Sequence, residues 1–100
     1  LFELTQSPDV IGRVVHGTTS VTSDDTHIVC DSAVAMDVDL PPASGSWRPL
    51  TISSVGLGAV SVVAAVPELI NGNASIALAQ YETAQIRDYA AGAWAVIGRS

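Results

Sequence analysis

Two histidines, one cysteine and ten carboxylates are the residues of this chain that could do acid–base, nucleophilic or metal chemistry. His16 and His27 stand 11 positions apart. On one helix face that separation is a rise of about 16 Å, too far for both rings to ligate one metal ion. Both therefore read as polar surface residues. Asp24 and Asp25 beside His27 are the residue types of a hydrolytic acid–base pair, and they define the one enzyme reading, a small hydrolase. Ser20, Thr22, Ser23 and Thr26 around them make the segment look like ordinary solvated chain. Asp31, Asp37, Asp39 and Glu68 offer oxygen ligands, but their spacing does not resemble a calcium loop. Cys30 stands alone, so it closes no intramolecular disulfide and reads as a small buried hydrophobe. The expectation is a protein that is not an enzyme, with no catalytic, cofactor-binding or metal-binding residue and no cofactor.

Composition narrows the partners. One hundred residues predict a single domain over 1–100, and so short a chain buries only about 60% of its unfolded surface. Hydrophobic residues make up 48% but aromatics 5%, so the apolar content is mostly Ala and Val, which leaves little scope for a deep pocket. The net charge of −6 repels phosphate backbones and anionic lipid, which argues against nucleic acid as a partner. The most apolar run, Val55 to Val66, is too short to cross a bilayer. No charged n-region precedes an apolar run at the start, so export is expected without a cleaved signal peptide. Asn73-Ala74-Ser75 fits a glycosylation acceptor and doubles as a helix cap.

These groups would be carried mainly on helices. From Asn73 to Ser100 the chain is rich in strong helix formers. Ile76, Ala79, Thr83, Ile86, Ala90, Ala93 and Ile97 step by alternate threes and fours, the seam of one helix face. Small residues on that seam call for a closely packed partner helix. In the first half, Ser7-Pro8-Asp9 has the order of a helix start. Val14, Thr18, Val21, Asp25, Ile28, Ser32 and Ala35 repeat the same steps, which predicts helix one over about 8–38. Strands remain the alternative there: Val14-Val15 and His27 to Cys30 are β-branched, and Val34, Met36, Val38 and Leu40 alternate with polar or small residues at period two. Pro41 and Pro42 with Ser44-Gly45-Ser46 predict a turn over 40–48. The second half, about 49–98, is expected to break at 67–73, where Pro67 and Asn71-Gly72-Asn73 stand. No internal repeat is evident.

Trp47 in the central turn, the Tyr81-containing last helix and the Ala/Trp-rich end together resemble the small helical-hairpin proteins of actinobacterial type VII (ESX) secretion. Leu4 to Gly12 and Ile76 to Trp94 are more similar to their EspC-like branch than to the WXG-like one. Trp47 is followed by Arg48-Pro49 instead of a residue and glycine, and Gln85 stands where the secretion signal begun by Tyr81 has an acid. The resemblance implies an all-α antiparallel hairpin that pairs into a four-helix bundle, as a homodimer or a heterodimer with a related hairpin. It implies a secreted or cell-envelope location, recognition by the secretion ATPase, an interface of Trp47, Ile76, Ala79, Thr83, Ile86, Ala90, Ala93 and Ile97, and a signal at Tyr81 and Gln85. The alternative is a small α+β binding module.

Overall fold

In the computed structural model, residues 12–100 are described. They form ten strands: β1 Gly12–Val15, β2 Thr19–Ser20, β3 His27–Cys30, β4 Met36–Asp39, β5 Pro49–Ser54, β6 Val60–Val63, β7 Leu69–Ile70, β8 Ser75–Leu78, β9 Thr83–Ala90 and β10 Ala93–Arg99. Among the described residues there is no helix, so the all-α hairpin and its four-helix bundle are overturned. The α+β alternative is met only in its strands. The expected helix start at Ser7-Pro8-Asp9 and the lead-in from Leu4 lie outside the described residues.

The strands alternate between two sheets. β1, β3 and β5 pair in parallel in a six-stranded sheet ordered β1-β3-β5-β9-β10-β7, and β2, β4 and β6 pair in parallel in a four-stranded sheet ordered β2-β4-β6-β8. Three turns of the chain are thus wound into a short β-solenoid. The antiparallel strands β8, β9 and β10 then lie against its last turn.

Between the second and third turns the register advances by 24 residues in both sheets, from His27 to Thr51 in one and from Met36 to Val60 in the other. His27–Leu40 and Thr51–Ala64 are therefore a structural repeat, although the sequence does not advertise one. The match lies in which positions are covered. Ile28 stacks on Ile52, Cys30 on Ser54, Met36 on Val60 and Val38 on Val62, all buried. Identical residues are not needed for that, only apolar or small ones on the inward side of each strand.

The expected helical seam fails for a related reason. Of its seven residues only Ile86 is buried; Ala79 and Ile97 are exposed, and Ile76, Thr83, Ala90 and Ala93 are half-buried. The period that matters is two. Ala84, Ile86 and Asp88 face in along β9, while Gln85 and Tyr89 face out. The Ala-rich run at 90–93 is a hairpin, with Ala90 paired to Ala93 and Gly92 at φ 79°. Helix propensity differs by under about 1 kcal/mol per residue among ordinary residues. Burying the inward row, with Trp94 at its end, outweighs it.

Corner loops 31–35 and 55–59 stack on each other. Gly56 and Gly58 donate backbone hydrogen bonds to Cys30 and Ser32 carbonyls respectively. A β-carbon on Gly58 would lie 1.9 Å from the Val34 carbonyl oxygen, and one on Gly56 would lie 2.4 Å from the backbone of Ser32. Close approach of the loops requires glycine at both places. Cys30 lies inside this coil with no exposed surface, and burial pushes its thiol up to about 11. The native protein should therefore resist iodoacetamide at pH 8 and be alkylated promptly once unfolded, which mass spectrometry of the intact chain would read.

Candidate functional site

The residues singled out for hydrolysis are sent to different partners. Asp25 is buried and receives the Arg13 guanidinium at 2.8 and 2.9 Å, with further hydrogen bonds from the Thr22 backbone N–H and hydroxyl. Arg48 then donates to the Thr22 and Asp25 carbonyls. The Asp25 carboxylate thus ties the loop of the first turn to β1, and its backbone carbonyl helps hold Arg48. His27 instead shares a hydrogen bond with Ser53, Nε2 to Oγ at 3.0 Å, and Ser53 Oγ lies 3.0 Å from the Thr83 hydroxyl. His16 bonds through Nδ1 to the Asp31 carbonyl. Glu68 accepts the Ala43 N–H. Among the described residues no group of three or more His, Cys, Asp or Glu could hold a metal ion.

Asp88 has the same structural office as Asp25 at the other end of the coil. It is buried and accepts hydrogen bonds from the Ser44 N–H and hydroxyl, the Ser46 hydroxyl and the Arg48 N–H. Burial works against ionisation of both carboxyls. For Asp25 the Arg13 guanidinium and Thr22 outweigh it, and for Asp88 the Ser46 hydroxyl and the Arg48 and Ser44 N–H groups do, so both are held below the usual carboxylate range. A lowered folded-state pKa adds stability that is present above the unfolded value, near 3.9, and lost as pH falls through the folded one. Urea midpoints should hold steady from about pH 7 to about pH 5 and fall below about pH 4. Asp88→Asn should flatten that acid limb.

Among the described residues, the outer face of the six-stranded sheet carries side chains that could meet a ligand. Register places His27, Thr51 and Gln85 in one row and Ser53 and Thr83 in the next. Pro49, Leu50, Thr51, Gln85, Ile86, Arg87 and Ile97 line a hollow of about 120 Å³. The Thr51 and Gln85 side chains make no hydrogen bond to another described residue, and Arg87 spends one donor on the Trp47 carbonyl. Its outward strand positions carry no carboxylate, whereas the four-stranded sheet turns Asp37 outward.

Two exposed aromatics stand at opposite ends of the β5–β9 pair. The Trp47 N–H donates to the Asp88 carbonyl at one end, and the Tyr81 N–H donates to the Ser54 carbonyl at the other. Trp47 has φ 61° and is 57% exposed; Tyr81 has φ 68° and is 75% exposed. Bulky side chains are rare in the left-handed region and cost on the order of 1–3 kcal/mol there. Neither ring returns that cost through burial. Trp94, by contrast, is 1% exposed.

Of the candidates read from the sequence, Thr83, Gln85 and Ile97 come to one sheet face, with Trp47 and Tyr81 at the ends of its β5–β9 pair. Ile76, on β8, belongs to the other sheet, and Ala79 lies in the turn after it. Thr51, Ser53 and Arg87 were missed. Their signal was the alternation of Thr51 and Ser53 with Leu50, Ile52 and Ser54. No family model, curated protein or solved structure matches this chain.

Proposed function

We propose that this chain is a non-enzymatic binding module whose site is the outer face of the six-stranded sheet. The observation that carries this reading is the pair of exposed aromatics, Trp47 and Tyr81, held at positive φ at the two ends of one strand pair. Backbone strain without burial persists where a function retains it. Between them lie hydrogen-bonding side chains not committed to the fold, around a shallow hollow. Such a surface suits capture of an extended ligand. Asp25 and Asp88 are engaged in holding loops, which favours binding over hydrolysis. The pairing of helical hairpins loses its footing in a chain of strands, so the type VII reading is not carried forward.

The test is a screen of the pure protein against peptide and oligosaccharide libraries, with each binder remeasured on two variants. Thr51→Ala with Gln85→Ala should weaken binding roughly 25-fold, the loss of two neutral hydrogen bonds, while Asp37→Ser with Ser61→Ala on the four-stranded sheet should leave it intact. Binders that lose affinity only in the second variant would place the site elsewhere and end the proposal.

A further inference from the structure

We infer that the ligand of this face is a neutral saccharide chain, one of whose pyranose rings sits in the hollow between β5, β9 and β10; the inference rests on the binding-module reading above. The hollow's volume, about 120 Å³, is well below the ~300–1,000 Å³ of drug-sized pockets, so it takes one ring of a longer ligand. Its lining divides as a sugar ring does. Pro49 and Ile97 supply apolar surface for the C–H face, and Thr51, Gln85 and Arg87 supply donors and acceptors for the hydroxyl edge. Gln85 is carried beside the glycine of β10: its Oε1 lies only 3.3 Å from where a β-carbon of Gly98 would be. The absence of that side chain leaves room over the amide.

Charge separates the neutral sugar from its rivals. The chain's net −6 opposes polyanions at a distance. The sheet's outward strand positions, free of carboxylates, offer nothing to hold a polycation. Length fits an oligomer: Trp47 to Ser54 is seven strand steps, about 23 Å at ~3.3 Å each, with an exposed aromatic at either end. Aromatic faces pair an apolar body with a polar tip, which matches the amphipathic surface of a sugar.

The experiment titrates the full chain with cellohexaose, maltohexaose, mannohexaose and chitohexaose, read by tryptophan emission and by calorimetry. Trp94 is buried and Trp47 exposed at the end of the β5–β9 pair, so a ligand long enough to reach Trp47 alters its component of the emission. At least one hexaose should bind, with affinity unchanged between about 0.01 M and about 1 M salt. Gln85→Ala should weaken it about fivefold, the loss of one neutral hydrogen bond. Trp47→Ala should remove the emission change and weaken binding by a similar factor, with far-UV circular dichroism confirming that each variant is folded. Binding that ignores both substitutions overturns the inference. Peptides that bind in place of sugars, and are sensitive to Gln85→Ala, overturn the saccharide while leaving the binding module standing. No ligand of either class sensitive to Thr51 or Gln85 sinks both.

Discussion

Gly58→Ala should destabilise the protein by about 3 kcal/mol or more, the upper range for adding one methyl group to a packed site. The new β-carbon would meet the Val34 carbonyl at 1.9 Å. That neighbour is backbone, already fixed by the stacking of loop 31–35 on 55–59, so no side-chain rotation relieves it. Relief demands that the two turns of the coil separate at this corner, and Gly58 would then lose its hydrogen bond to Ser32. In a domain of this size 1 kcal/mol moves the melting temperature by about 4–8 °C, so a drop of order 15 °C is expected by differential scanning fluorimetry. Gly17→Ala is the control. Among the described residues no heavy atom lies within 4 Å of where a β-carbon on Gly17 would be, and its φ is outside the left-handed region, so alanine there should be neutral or stabilise by up to about 1 kcal/mol through the unfolded state. Equal melting temperatures for the two variants would refute the stacked-corner account.

Trp94→Ala should cost about 3–5 kcal/mol, the range for deleting a large buried aromatic. Trp94 is 1% exposed, pairs in register with Ile70, and its carbonyl accepts the Asn71 N–H. Its indole N–H is buried and has no hydrogen-bond partner among the described residues. Trp94→Phe should therefore recover most of the loss, since it restores ring volume and removes an unsatisfied donor. Trp47→Ala gives the contrast. Its ring is 57% exposed and its φ strained, so truncation should change stability by under about 1 kcal/mol. Urea denaturation of the three variants orders them, and a Trp47 cost equal to that of Trp94 would contradict the binding role given to the exposed ring.

The strands legible from residues alone were those whose two faces differ in chemistry. His27 to Cys30 is β3, Val14-Val15 falls in β1, and the alternation through Met36, Val38 and Leu40 marks β4, with all three residues buried. Val34 belongs to the same alternation but is 69% exposed, because it lies in the corner loop before the strand begins. Asn71-Gly72 likewise forms a turn, both residues at positive φ, between Ile70 and Asn73. The second half was misread because Ala, Ile and Thr satisfy periods of two and of three and a half at once. Ile86 belongs to either pattern. Asp88 decides between them, and a buried aspartate is not visible until its donors, Ser44, Ser46 and Arg48, are known to lie some 40 positions away.

The candidate face was hidden for the same reason. Thr51 and Gln85 become neighbours only through the β5–β9 pairing, 34 residues apart in the chain. As local features Thr51 looks like a weak point in a helix and Gln85 like an ordinary helix former.

The winding also sets how much chain each pairing must close. Ala90 and Ala93 are joined by a two-residue turn, whereas His27 must wait for Thr51. Closing a short loop costs less chain entropy than closing a long one, and non-local parallel pairing is slow. Within the described residues the coil precedes the β9–β10 hairpin in the chain, so the locally closed pair is synthesised after the strands it covers. Nascent chains halted before residue 90 should consequently remain protease-sensitive, and protection should arrive abruptly when β10 emerges.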